Sequence, residues 1–313
     1  MKAIFLLLTA TLLSVHAQGP LLPAGPPAPG MKSLDQIAPG KPITSLPYFI
    51  NEPGAYYLTG NLVHTAVGVA LGVNASGVTV DLRGFTISCT STANDDCIYV
   101  YSDHDNVRVF NGSIAGNTTV SMSGAVSNRT WNVYTAGGFS NGINSSFATS
   151  CQFSDLVITG CINRGIILGP QCVARSVIFR SNGNCATSVT GRGASVIDCI
   201  ASLNGNQGGF NGFVAGDNEA TFVNCIAISN GSIGIRGVFS AVNGCLSSDN
   251  GSIGILANSG TATQCLVKDN EFPGITADNG VISFSRGEGN DIGHGSGDFS
   301  GTGGVRVNNY PAP

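Results

Sequence analysis

Residues 224–235 read NCIAISNGSIGI and residues 244–255 read GCLSSDNGSIGI. The letters NGSIGI recur after 20 residues, and each time a cysteine stands five positions before the asparagine. With the asparagine as marker, the series runs Asn182, Asn204, Asn230, Asn250, Asn270 and Asn290, with Cys161 at the same point one repeat earlier. The steps are 21, 22, 26, 20, 20 and 20 residues. An internal repeat of this length marks a solenoid, in which each repeat buries its apolar face against its neighbours.

The residues between the markers decide which kind of solenoid. Short runs rich in Val, Ile, Phe and Tyr, such as YYLTGNLV, GVTVDLRGFTI, NVRVFNGSI and ARSVIFRSNG, are cut by Gly, Asn, Ser and Asp. This is the pattern of strands and tight turns. The chain holds 44 glycines and only 10% charged residues, which weakens helix interiors and leaves few charges to solvate helix surfaces. The expected fold is all-β, a parallel β-solenoid over residues 43–300 with roughly ten rungs of about 20–22 residues, followed by a C-terminal tail over residues 301–313.

Three columns of the repeat are expected to face the core, stacked about 4.8 Å apart. Four before the marker stand Val157, Ile178, Ile200, Ile226, Leu246 and Leu266, and eight before it Phe153, Ala174, Val196, Phe222, Val242 and Ala262. Five after it Ile166, Ile235, Ile255 and Ile275 recur. The asparagine column reads as structural, because an amide at a turn accepts from one neighbour and donates to the next. The glycine that follows is expected to supply a positive φ.

Cys199, Cys225, Cys245 and Cys265 occupy the column five before the marker, begun by Leu156 and Val177. They read as small buried apolar groups in the reduced state, since in-register parallel neighbours fit the disulfide torsion poorly. Cys89 and Cys97 differ, for they flank the polar loop TSTANDD, where a loop-closing disulfide is the expected pairing. No CxxC or Cys-His cluster points to a metal site.

Residues 1–17, MKAIFLLLTATLLSVHA, combine Lys2, an apolar run from Ala3 to Leu13 and a small-residue site ending at Ala17. They read as a secretory signal peptide, too short for a membrane anchor, so a secreted protein, extracellular or periplasmic, is expected. Residues 18–42 open with QGPLLPAGPPAPG and read as a Pro-rich linker. Without residues 1–17 the chain loses Lys2 and no acid, leaving 13 basic against 18 acidic side chains, a charge of −5. That balance counts against a nucleic-acid partner.

From Ile43 to Leu62 the chain meets the pattern I-x-x-L-P-x-x-I-x-x-P-G-x-Y-x-L-T-x-N-L. Together with the repeat, this resembles the right-handed parallel β-helix proteins of the pectate-lyase-like superfamily, and within them a group of secreted bacterial proteins. The resemblance implies a right-handed coil, a monomer, and a role in binding or modifying an extracellular polysaccharide or cell-envelope glycan, as lyase, hydrolase, epimerase or binding module. The alternative is a non-catalytic structural or adhesive solenoid of the cell envelope. No cofactor is identified in the residues. Calcium is implied by the resemblance alone, because no cluster of three or more acids marks a site.

Chemistry is sought where the repeat is broken. Residues 117–146 and 205–219 are insertions, the first carrying Trp131, Tyr134 and Phe139, the second Phe210 and Phe213. Trp131, Tyr134 and Phe210 either offer stacking faces to sugar rings or fold down over the solenoid. Asp155 and Asp198 stand six before the marker, flanked by Arg175 and Arg180. Two rungs apart, the carboxylates would lie about 9.6 Å from each other, at the wide end of the inverting-glycosidase range. Asp155, Asp198 and Arg175 are therefore catalytic candidates, against the ordinary reading of scattered charges on a solvated strand.

Ser102-Asp103-His104-Asp105 resembles the Asp-Pro-His-Asp box of mannuronan epimerases, which makes His104 the best single acid–base candidate. Asp95-Asp96 and Gly293-His294-Gly295 resemble motifs of polygalacturonases. They lie 198 residues apart, about 43 Å along the coil, too far to meet at one bond. Sequons such as Asn74-Ala75-Ser76 and Asn128-Arg129-Thr130 are glycosylation sites only in a eukaryotic source, and those at Asn230 and Asn250 are expected to be inaccessible.

Overall fold

The computed structural model describes residues 40–89, 95–205, 209, 212–291 and 297–311. Strands run from Lys41 to Pro311, so the first begins inside the stretch read as linker and the last lies in the stretch read as tail. Among the described residues there is no α-helix, only a 3-10 turn at Val126–Asn128.

The chain is a right-handed parallel β-solenoid. Each coil lays two short segments in a wide sheet and one in a narrow sheet, as Ala194–Ile197 and Ile200–Ser202 do in the first and Phe213–Ala215 in the second. Among the described residues the narrow sheet has eleven strands, one per coil, against the roughly ten expected. Register is strict: Ile235 pairs with Ile255 and Ile255 with Ile275, 20 residues at a time.

Two of the three expected core columns face inward. Phe153, Ala174, Val196, Phe222, Val242 and Ala262 are fully buried, as are Ile166, Ile235, Ile255 and Ile275. The third faces out: Val157 is 38% exposed, Ile178 41% and Leu266 39%. The reason is strand alternation. The cysteines at five before the marker are buried, so the next residue along each strand must point away. Positions eight and five before the marker, three residues apart, both face inward because a left-handed residue between them resets the alternation. That residue is Asp155 (φ 55), Ser176 (φ 54), Asp198 (φ 54), Asn224 (φ 52) and Gly244 (φ 64) in successive coils.

The asparagine column is a hydrogen-bonded ladder inside the protein. Asn182 Nδ2 donates to Asn204 Oδ1 (2.9 Å), and the same bond joins Asn204 to Asn230, Asn230 to Asn250 and Asn250 to Asn270 at 2.9–3.0 Å. Each Oδ1 also accepts the backbone N–H of the marker before it, as from Asn230 to Asn250 (3.0 Å). The ladder ends where Asp298 replaces the amide and takes Nδ2 of Asn290 at 2.7 Å. The positive φ lies two residues earlier than expected, on Ser181, Leu203, Ser229, Asp249 and Asp269, and of the glycines after these asparagines Gly205 also has one (φ 73). Glycine follows the asparagine for room instead: a Cβ on Gly251 would fall 2.5 Å from Gly231 O and 2.6 Å from the Trp131 ring.

All ten cysteines are buried and no disulfide joins any two of them, so the expected Cys89–Cys97 bridge is absent. Burial among apolar neighbours pushes the Cys185 and Cys199 thiols up to about 12, which keeps them protonated and unreactive.

Of the stretch read as an insertion at 117–146, Thr118–Ser123 and Thr130–Thr135 form an antiparallel hairpin laid across several coils, whereas Asn141–Ser145 is a regular strand of the narrow sheet. Arg129 donates to Asp249 Oδ1 (2.7 Å) and to the carbonyl of Asp269 (3.0 Å), while Trp131 Nε1 donates to Ser229 O (2.9 Å).

Candidate functional site

The outward face of the narrow sheet begins with aromatic residues. Phe49, Gly72, Tyr99 and Asn144 are successive partners in one outward column. A Cβ on Gly72 would fall 2.5 Å from the Phe49 ring and 3.2 Å from the Tyr101 ring, so the missing side chain is what lets both rings lie over the strand. Tyr99 meets Tyr101 edge-on, with ring centroids 4.7 Å apart. Phe49 is 49% exposed, and the two tyrosines are half-buried. Three rings thus form an open apolar platform on one face.

His104 borders this platform. Tyr101 N–H donates to Val73 O (3.0 Å), which sets Tyr101 beside Asn74, and His104 Nε2 donates to Asn74 Oδ1 (3.1 Å). Asp103, with φ 66, makes the turn, and Ser76 Oγ accepts the N–H of Asp105 (3.0 Å). Asp96 completes the same region. Its carboxylate accepts from Asn141 Nδ2 (2.6 Å) and Asn144 Nδ2 (2.8 Å), and Asn144 pairs with Tyr99. Burial raises the Asp96 carboxyl above its ordinary value, with the two amide bonds opposing. A half-buried acid that keeps its proton more readily is suited to proton transfer.

The other catalytic candidates lie elsewhere. Asp155, Arg175 and Asp198 are on the wide sheet, where Asp155 and Asp198 are left-handed bend residues, a conformation Asp tolerates better than most. Arg175 pairs with Asp198 at 3.4 Å, and Asn224 Nδ2 donates to Asp198 at 3.2 Å. Asp155 and Arg175 line one groove with Arg108, Gln152 and Ser154, and His104 is not among its walls. The structure brings Asp155, Arg175 and Asp198 together and leaves His104 on a different face.

The aromatic candidates divide as well. Trp131 is 6% exposed, with its indole N–H spent on Ser229 and its ring on Gly251, so it clamps the hairpin and has no open face for a sugar. Tyr134, on the opposite face of that hairpin, is 69% exposed. Phe139 is buried against His64 and Phe213 is in the core. Phe210 lies outside the described residues, as do Gly293, His294 and Gly295.

Sequence reading missed Phe49, Asp96, Tyr99, Tyr101 and Asn144 as a group. The available signal was the alternation Tyr99-Val100-Tyr101, which puts two rings on one side of a strand directly before the His104 turn. Among the described residues, no group of three or more His, Cys, Asp or Glu is placed to hold a metal ion. No helix among them is long and apolar enough to cross a membrane.

No protein-family model matches the chain, and no curated protein matches it in sequence. Solved structures do resemble it. ORF18 of Geobacillus virus E2 superposes with a TM-score of 0.62 at 13% identity, over 85% of this chain and 56% of that one. The A-module of the Azotobacter vinelandii mannuronan C-5 epimerase AlgE6 gives 0.55 at 12% identity, over 83% and 91%. The Dettilon tailspike protein gp208 gives 0.50 at 11%, over 81% and 62%. At such identities the likeness is one of fold, and by its coil, its stacked columns and these neighbours the chain is a right-handed parallel β-helix.

Proposed function

We propose that the protein binds an extracellular polysaccharide on the narrow-sheet face and that His104 and Asp96 are the acid–base groups of any reaction there. The observation that carries this reading is the ring platform of Phe49, Tyr99 and Tyr101, held open over Gly72 and bordered by His104. Sugar rings present C–H faces that stack on aromatic rings, while hydroxyls bond to amides and carboxylates such as Asn74, Asn144 and Asp96. The resemblance of residues 102–105 to the mannuronan-epimerase box, and the likeness of fold to a module of such an epimerase, support a polysaccharide as the ligand.

Titration with a panel of neutral and acidic polysaccharides tests the reading. Tyr99→Ala and Tyr101→Ala are each expected to weaken binding by about 2- to 10-fold, the worth of one aromatic contact. His104→Ala is expected to abolish any product while leaving binding within a few-fold. If the panel shows neither binding nor product and His104→Ala changes nothing, the proposal fails.

A further inference from the structure

The hairpin leaves a groove between itself and the wide sheet, on a different face from the ring platform. Val120 and Met122 line one wall, Arg180, Leu203 and Ile228 lie on the floor in three successive coils, and three serines complete the lining. Its volume is about 570 Å³, within the range of ligand pockets.

Two of the floor residues break the repeat. The outward column two before the marker runs Thr159, Arg180, Ser202, Ile228, Ser248 and Lys268 from coil to coil, polar in every coil but that of Ile228. The left-handed residue just before the marker is Ser181, Ser229, Asp249 and Asp269 in other coils, but Leu203 (φ 52) at the groove. Short polar side chains support such a bend by bonding locally, and a leucine is strained there without that help. Ser stands at both positions in adjoining coils, so the fold does not require an aliphatic side chain at either. Both exceptions are half-buried and line the same groove.

The apolar surface continues beside the groove. Ile200 and Ile226, two residues before Ser202 and Ile228 on the same segments, belong to the outward aliphatic stripe that runs on through Leu246 to Leu266. Strict register makes that stripe straight. Exposed Arg180 stands at one end of the groove, three coils or about 14 Å from Leu246 along the axis. Its neighbours in the column are the neutral Thr159 and Ser202, and its guanidinium makes no hydrogen bond or ion pair among the described residues.

We propose that this groove binds a free long-chain fatty acid, a single alkyl chain ending in a carboxylate. The chain lies along the axis against Leu203 and Ile228, walled by Val120 and Met122, with its carboxylate at Arg180. Burial of an alkyl chain against aliphatic side chains needs no directional partners. A sugar would set most of its hydroxyls against Leu203, Ile228 and Met122, which offer no hydrogen bond. A peptide strand would meet the same difficulty with its backbone, because the Ile200–Ser202 segment is already paired on both sides. The site is independent of the narrow-sheet reading.

Calorimetric titration of the full chain with dodecanoate below its micelle concentration tests the proposal. Emission of the sole tryptophan, Trp131, which is the cross-strand partner of Met122, gives a second readout. One-to-one binding is expected. Leu203→Ser and Ile228→Ser restore the residue of adjoining coils, and each is expected to weaken binding about tenfold or more, with thermal melts confirming that both fold. Arg180→Gln is expected to weaken dodecanoate about 2- to 5-fold, as loss of an exposed ion pair does, and to leave dodecanol unchanged; an equal effect on acid and alcohol overturns the place given to the carboxylate. No binding to wild type, wild-type affinity in both serine variants, or a loss in Tyr99→Ala, which lies on the ring platform, overturns the proposal. Binding to phosphatidylglycerol vesicles without binding to monomeric dodecanoate does so as well. A dimer in sedimentation that Ile228→Ser dissociates and dodecanoate does not would give the groove to a second copy and overturn it too.

Discussion

At the scale of single residues, the same side-chain type does different work according to where the coil puts it. Asp155 and Asp198 fill a bend, whereas Asp96 is held by two amides at the edge of the ring platform. Because burial raises the Asp96 carboxyl above its ordinary value of 3.8, the folded state binds that proton more tightly than the unfolded chain. Its contribution to stability is complete below pH 3.8 and is lost as pH rises through the folded-state value. Asp96→Asn removes this dependence. Urea unfolding of wild type and variant across the acid range is expected to show the wild type losing stability relative to Asp96→Asn as pH climbs. A constant difference between the two would contradict the assignment.

At the scale of elements, the hairpin is the one part of the described fold that does not follow the coil. It is held from its own inner face by Trp131, Arg129 and Val120, all 6% exposed, while its outer face carries exposed Tyr134 and a set of Ser, Thr and Asn side chains. Trp131→Ala removes both the Ser229 bond and the contact with Gly251. Hydrogen exchange is expected to speed up over residues 118–135 with the coil amides unchanged, because local opening follows local contacts. Uniform acceleration through the coil would mean that the hairpin is part of the solenoid's cooperative unit.

At the scale of the whole molecule, the protein is close to one-dimensional: each coil meets only the coils on either side. The asparagine ladder is the device that makes this stack cooperative. Asn230 both receives from Asn204 and donates to Asn250 and to Ala201 O (3.1 Å). Asn230→Ala leaves the N–H of Asn204 and the amide of its side chain without their buried acceptor, at a cost of about 1–3 kcal/mol. A denaturant titration is expected to show that drop, whereas Asn258→Ala, in a half-buried turn, is expected to cost less. Equal effects would show that the ladder adds nothing beyond ordinary turn bonds.

Repetition in the sequence determined the architecture. A period near 20 marks a solenoid and Val and Ile between Asn-Gly turns point to a stacked β coil, and the eight-before, five-after and asparagine columns were legible because like residues at one register meet like surroundings. Which neighbouring column faced inward was not legible. The left-handed bend that resets strand alternation depends on one φ angle, and Asp, Ser, Asn and Gly all supply it. The fate of the aromatics was hidden for a different reason: Trp131 is bound by a residue 98 positions away, and Phe49, Gly72 and Tyr99 become neighbours only by coil register. Spacing along the chain fixed what repeats, and only the tertiary stack decided which breaks in the repeat come together.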